Sequence, residues 1–109
     1  MCIRDSLFED LLHKYRVDLA FWAHYHSYER TCPVYKGECS RDGSGIIHMV
    51  IGAAGRSTDP DAWLPKPWSA FHRVAYGYGR VTVVNSTALK WEWVENDTAS
   101  VHDTLWITK

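Results

Sequence analysis

The sequence predicts an α/β protein in which one helix is followed mostly by β-strands. A helical pattern over residues 7–15 runs directly into the apolar segment VDLAFW, as in the helix-to-strand units of α/β proteins. A second apolar run, IIHMVIGAAG, reads as another buried strand that ends in a glycine-rich turn. Three strand-like runs near the C-terminus, separated by NST and ENDTAS, predict an antiparallel meander.

The helix is predicted from the spacing of its apolar residues. One face carries Leu7, Phe8, Leu11, Leu12 and Tyr15, and the charged residues between them fall on the other face. Residues 1–6, MCIRDS, match the translated end of an adapter used in sequencing-library preparation. We therefore treat residues 1–6 as a scar outside the fold, and we expect the natural protein to begin further upstream.

The segment YERTCPVYKGECSRDGSG is rich in turn-forming residues and is predicted to be a loop. Once Cys2 is set aside with the scar, Cys32 and Cys39 form an even pair around PVYKGE, and we predict a disulfide between them. Two glycosylation sequons begin at Asn85 and Asn96. Because disulfides persist in oxidising compartments, these features together predict a secreted or lysosomal protein.

A proline-rich stretch separates the second apolar run from the three strand-like runs near the C-terminus. Residues 56–68 hold three of the four prolines and are predicted to be an irregular surface loop. The strand KWEWVE beyond it alternates strictly, which predicts one packed and one solvated face.

The charge balance excludes two classes of partner. The chain has 12 basic and 13 acidic residues and a formal net charge of -1, so nothing favours binding to nucleic acid or to an anionic membrane. No apolar run is long enough to cross a bilayer. The oligomeric state is left open.

The motif WAHYHSYER, directly after the first predicted strand, carries the most chemistry. His24 and His26 are two residues apart, so in an extended backbone both point to the same side. Imidazole is a good ligand for zinc and iron, and ligands of open α/β sheets gather at the carboxyl ends of strands. A metal site is therefore one interpretation, and a polar loop is the other.

The residues around this pair closely resemble the purple acid phosphatases. VDLAFWAHYHSYERTCPVYKGEC is similar to the last metal-binding motif of that family, and IHMVIGAAG, WSAF, YGYGRVTVVNSTALKWEWV and VHDTLWI follow in the family's order. The resemblance implies the C-terminal portion of a four-layer α/β/β/α metallophosphoesterase sandwich. Residues 7–45 would then end the core that carries the H-x-H motif, and residues 46–109 would form the β-rich C-terminal region.

The resemblance also implies a binuclear site that holds Fe(III) beside Zn, Mn or Fe(II). Mapped onto this sequence, His24 would bind the divalent ion and His26 the ferric ion. The family's aspartate, tyrosine, asparagine and further histidine ligands come from earlier motifs, which this sequence lacks. We therefore expect no catalytic residue here beyond the metal ligands, and no activity from this chain alone, because two histidines do not hold two metals.

Ala23 stands where the family usually has glycine, and we expect a modest disturbance from it. Tyr28, Glu29 and Arg30 are candidates to orient the ligands. Alternatively, Glu29 and Arg30 form a structural ion pair. His48 is predicted to be a packed strand residue, and His13, His72 and His102 to be surface or edge residues.

Three functions remain open from the sequence. The first is hydrolysis of small phosphate monoesters, with the missing N-terminal part of the same domain supplying the other ligands. The second is a calcineurin-like phosphodiesterase or nucleotidase, since the same motif would bind metal in both. The third is a non-catalytic glycoprotein, or pseudoenzyme, that kept the sheet and lost the site.

Overall fold

The computed structural model describes residues 5–23, 25–58 and 66–109. This part of the chain contains one helix and nine strands: α1 (Asp5–Lys14), β1 (Leu19–Trp22), β2 (Tyr28–Thr31), β3 (Val34–Tyr35), β4 (Glu38–Cys39), β5 (Ile47–Ile51), β6 (Ser69–Arg73), β7 (Gly77–Asn85), β8 (Ala88–Glu95) and β9 (Ser100–Thr108). The predicted helix and both predicted buried strands are present. No helix among these residues is long and apolar enough to span a membrane.

Four strands form a mixed sheet in the order β1-β5-β2-β6. Strands β1 and β5 run parallel, with Leu19 opposite Ile47, which confirms the predicted α/β character. Strand β2 pairs antiparallel with both β5 and β6. Strand β5 is almost fully buried, whereas β1 lies at the end of the sheet and leaves Phe21 46% exposed. The apolar segment VDLAFW, which reads as a buried strand, is therefore only partly buried among the described residues.

The predicted loop after the histidine motif is partly wrong, because its first four residues form β2. The segment is short and carries two adjacent charged residues, so it shows neither an apolar run nor an alternating pattern. Its strand conformation comes from pairing with β5 and β6, whose paired residues lie 19 or more positions away in sequence. Strand β6 was missed for the same reason.

The last three strands form the predicted antiparallel meander, in the order β7-β8-β9. In β8, Trp91 and Trp93 are buried, whereas Lys90 and Glu92 are half-buried on the opposite face. The outer face is polar: Arg80 Nε donates to Glu92 Oε1 at 3.1 Å, and Lys90 Nζ lies 5.5 Å from the centre of the Trp106 ring. The alternation of KWEWVE therefore predicts the two faces correctly from Lys90 to Trp93, whereas Val94 and Glu95 are both buried.

The core lies between the two sheets and is mainly aromatic. The Tyr28 ring of β2 stacks on Trp93 of β8, with 4.8 Å between ring centroids and 10° between the planes. The buried cluster consists of Tyr28, Ile47, Met49, Trp91 and Trp93, with Leu19, Ile51, Phe71, Ala75, Leu105 and Ile107 packed around it. Burial of these aromatic side chains is the main apolar contribution to stability.

Two glycines of β7 leave room for the two tryptophans. A Cβ added at Gly77 would lie 2.3 Å from Trp93 Cζ2, and one added at Gly79 would lie 1.8 Å from Trp91 Cη2. Each glycine therefore lets the strand backbone pass directly against an indole ring.

The disulfide joins Cys32 to Cys39 across a Cα–Cα distance of 5.7 Å, as predicted. It closes the β3–β4 hairpin, in which Val34 pairs with Cys39. The hairpin also holds the helix, because Tyr35 stacks on His13 with ring centroids 3.9 Å apart.

Of the predicted surface loop, residues 56–58 and 66–68 are irregular, and residues 59–65 lie outside the described residues, as do residues 1–4 of the predicted scar.

Replacing Gly79 with alanine should destabilise the protein by about 1–3 kcal/mol, because the new methyl group overlaps the Trp91 ring and forces the two sheets apart. The measurement is urea unfolding of the wild-type and substituted proteins. Thr82→Ala on the exposed face of the same strand is the control and should shift the free energy of unfolding by about 0.5 kcal/mol or less. Equal stabilities for Gly79→Ala and Thr82→Ala would contradict this account of the interface.

Candidate metal centre

His26 lies between the end of β1 and the start of β2, at the edge of the four-stranded sheet. It is half-buried, and its Nδ1 atom lies 2.8 Å from the Oγ atom of Ser57. His24 falls outside the described residues. Strands β1 and β5 are parallel neighbours, and the segments after them bring His26 and Ser57 together. This is the edge of an α/β sheet at which ligands usually bind.

Ser57 was not predicted from the sequence as a site residue. Its signal is positional, because it follows the glycine-rich turn at the carboxyl end of the second apolar strand. A hydroxyl at hydrogen-bond distance from a ring nitrogen fixes the orientation of the imidazole. Ser57 is therefore placed to hold the His26 ring in position.

The donor chemistry of His26 fits a zinc or iron site, but the described residues do not complete one. Within residues 5–23, 25–58 and 66–109, no group of three or more His, Cys, Asp or Glu side chains is arranged to hold a metal ion. A complete centre would need ligands beyond these residues, since zinc and iron sites use at least three protein ligands.

Tyr28 and Arg30 point from β2 towards the second sheet and meet one carboxylate there. Asp103 of β9 accepts a hydrogen bond from Tyr28 Oη at 2.5 Å and two from Arg30, at 2.7 Å from Nε and 3.0 Å from Nη2. Trp91 Nε1 donates in turn to Tyr28 Oη at 2.9 Å. These four side chains form what we call the Asp103 cluster.

Glu29 lies on the opposite face of β2, where its carboxylate accepts a hydrogen bond from Ser69 Oγ at 2.8 Å. Because neighbouring residues of a strand face opposite ways, Arg30 forms its ion pair with Asp103 and not with Glu29. The alternative of a Glu29–Arg30 ion pair is therefore wrong.

Burial controls the protonation of Tyr28. Removal from water raises the pKa of its hydroxyl far above the usual value, and the hydrogen bond to Asp103 raises it further. The hydroxyl therefore stays protonated and remains a donor to Asp103 at any physiological pH.

His48 is a packed strand residue, as predicted. It is 1% exposed in β5, and its Nδ1 atom accepts a hydrogen bond from Trp22 Nε1 at 2.7 Å. Burial lowers the pKa of His48 to about 4, so the ring is neutral at neutral pH and carries its proton on Nε2.

The other histidines lie at the margins, as predicted. His13 of α1 is half-buried beside Tyr35, and His72 lies on the edge strand β6, where burial lowers its pKa. His102 Nε2 lies 3.0 Å from Glu95 Oε2 on the second sheet.

Ala23 is exposed, and the described non-glycine residues with positive φ are Arg16, Lys36 and Ala99. Alanine at position 23 therefore adopts an ordinary backbone conformation.

Comparison with known proteins shows which family the chain resembles. Residues 45–104 match the family model described as iron/zinc purple acid phosphatase-like protein C. The chain is similar to "Probable inactive purple acid phosphatase 27" of Arabidopsis thaliana, with 37% identity over 95% of the chain and 18% of the relative. It is also similar to mouse "Acid phosphatase type 7", with 38% identity over 93% of the chain and 26% of that protein.

Among solved structures, the purple acid phosphatase PPD1 from yellow lupin seeds matches with a TM-score of 0.87 and 31% identity, over 93% of this chain and 19% of the lupin chain. The chain thus spans between about a fifth and a quarter of the length of these proteins. Because the family model covers more than half of the chain and the fold agrees with the lupin enzyme, the chain belongs to the purple acid phosphatase family, as the matching C-terminal part.

Proposed function

We propose that this chain is the C-terminal part of a metallophosphatase that hydrolyses phosphate monoesters, and that His24 and His26 are its share of the metal ligands. The observation that carries the proposal is the position of His26, which lies half-buried at the carboxyl edge of a parallel strand pair and is oriented by Ser57. Family membership supplies the reaction class.

The proposed cofactor is Fe(III) beside Zn, Mn or Fe(II), with His24 on the divalent ion and His26 on the ferric ion. When bound, such a pair polarises the phosphoryl oxygens and supplies a hydroxide nucleophile near neutral pH. The part of His26 is to present a neutral ring nitrogen in a fixed direction.

The remaining ligands are proposed to come from an N-terminal part of the same domain. Within the described residues, β1 ends the first sheet and has a neighbour on one side only. Apolar side chains lie open near this edge: Phe21 is 46% exposed, and Val83 on the packed face of β7 is 71% exposed. An unpaired edge beside exposed apolar surface is suited to further strands of the same protein.

A second candidate is a non-catalytic member of the family. The name of the Arabidopsis relative, "Probable inactive purple acid phosphatase 27", favours it. Metal content distinguishes the two, since a pseudoenzyme that lost its site would bind no stoichiometric iron.

Secretory or lysosomal localisation is proposed from the disulfide and the two sequons. Asn85 and Asn96 are both exposed, and Asn85 Oδ1 accepts hydrogen bonds from the backbone nitrogen and the hydroxyl of Thr87, the last residue of its sequon.

Replacing His26 with alanine in the full-length protein should remove iron and lower phosphatase activity more than about a hundredfold, because a direct ligand is lost. Metal analysis and a phosphate monoester assay measure the two effects. His13→Ala is the control and should leave both unchanged. Full iron content and activity in His26→Ala would exclude His26 from the site.

Replacing Ser57 with alanine should leave the fold intact and weaken iron binding about tenfold, because the His26 ring loses a hydrogen-bond partner. The measurement is the rate at which iron passes to a strong chelator. Ser57→Thr keeps a hydroxyl and should restore most of the affinity. Identical rates for wild type and Ser57→Ala would show that the contact does not orient the ligand.

Expression of the full-length protein through a secretory pathway should attach N-linked glycans to Asn85 and Asn96. Treatment with a peptide N-glycosidase should then lower the mass, and Asn85→Gln and Asn96→Gln should each remove one glycan. A secreted protein without a mass change would contradict the sequon interpretation.

A further inference from the structure

We propose that Asp103 is a positioning residue that holds the loop carrying the metal-ligand motif, acting through Tyr28 and Arg30. This inference rests on the proposed function, because it assigns a role to Asp103 only if His26 binds metal. Asp103 acts on His26 only through strand β2. It fixes the strand that begins two residues after His26.

The placement of Asp103 in β9 is the first argument. Asp103 lies opposite Trp93 in the register of β8 and β9, and Leu105 lies opposite Trp91, so Asp103 occupies a position on the packed face. It is 7% exposed. A carboxylate on that face is costly to bury unless it is fully hydrogen-bonded, and an apolar residue would suit sheet packing better.

The strand itself is irregular at this point. The pairing of β8 with β9 shifts between Trp93 and Val94, so that Asp103 pairs with Trp93 and Val101 with Val94, which leaves His102 as the extra residue. A bulge of this kind redirects the neighbouring side chain. Here the bulge lies directly beside Asp103, whose carboxylate contacts Tyr28 and Arg30.

The partners of Asp103 are the second argument. Arg30 binds the carboxylate through two parallel hydrogen bonds, which fix direction as well as distance. Tyr28 adds a third bond to the same group. On the other face of β2, Ser69 holds Glu29. Strand β2 is therefore held by polar side chains from both faces.

The connection to the ligand is short. Ser27, the one residue between His26 and Tyr28, is 6% exposed. A shift of β2 along or across the sheet must therefore move the His26 backbone and alter its distance from Ser57. Metal ligands tolerate little displacement.

A second ion pair between the sheets supplies a matched control. Arg73 of β6 donates to Glu95 of β8 at 2.9 Å, so it also joins the first sheet to the second. Arg73 lies opposite Tyr28 in the register of β2 and β6, so this ion pair anchors the neighbouring strand and acts on β2 only through strand pairing. An effect of sheet attachment alone would be shared by both ion pairs, whereas an effect on ligand position would be confined to Asp103.

The test compares Asp103→Asn, Glu95→Gln and His26→Ala in the full-length protein. Asp103→Asn keeps the shape of the side chain and removes its charge. The measured quantities are iron content and the rate of iron loss to a strong chelator, together with the urea midpoint of each variant. We expect Asp103→Asn to lose iron about tenfold faster than the wild type. The rate for Glu95→Gln should stay within about twofold of the wild-type rate.

Two outcomes with these three variants would overturn the inference. Equal rates for Asp103→Asn and Glu95→Gln, while His26→Ala loses its iron, would show that Asp103 does not position the ligand. Unchanged iron in His26→Ala would overturn both this inference and the proposed function.

If Asp103→Asn does not fold, Tyr28→Phe replaces it, since this variant keeps the ring in the core and removes the bond to Asp103. Faster iron loss in Tyr28→Phe supports the inference, and a wild-type rate overturns it.

Discussion

The stacking of Tyr28 between the two sheets is the interaction on which the rest of this structure depends. Its ring lies on Trp93 and near Trp91, and the glycines of β7 allow the two indoles to lie flat beneath the neighbouring strand. This contact sets the distance between the sheets. It also places a buried hydroxyl at the centre of an otherwise apolar interface, which requires polar partners.

The Asp103 cluster satisfies that requirement and adds direction to the packing. Apolar contacts tolerate small sliding movements, whereas a bidentate ion pair does not. Removal of one partner from such a buried pair commonly costs about 3–5 kcal/mol, because the other charge stays buried. The interface is therefore both closely packed and fixed in register. Both effects act on strand β2, which begins just after the proposed ligand His26.

The sequence predicts the regular elements of this fold well and its contacts poorly. The helix, β1, β5 and the three-stranded meander follow from apolar periodicity, which is a local property. Strand β2 and strand β6 do not, because their conformation depends on pairing with distant segments. The disulfide could be predicted because only two cysteines remained once Cys2 was set aside.

The same distinction between local signals and distant contacts applies to the candidate site. His26 could be identified because its type and spacing are unusual, and the resemblance to a family assigned its role. Ser57 and Asp103 could not, since serine and aspartate are common residues and their importance comes from the partners that the fold brings to them. The one local signal for Asp103 is a charged residue that alternates with the apolar residues Leu105 and Ile107 along the strand.

The hydrogen bonds between Arg30 and Asp103 join residues 73 positions apart in the chain. During synthesis on the ribosome, the segment with the histidine motif emerges long before its anchor in the last strand exists. Domains generally fold as units once their sequence is available. The loop that carries His26 therefore acquires its final geometry only after β9 has been translated. The proposed ligands are thus synthesised well before the site can bind metal.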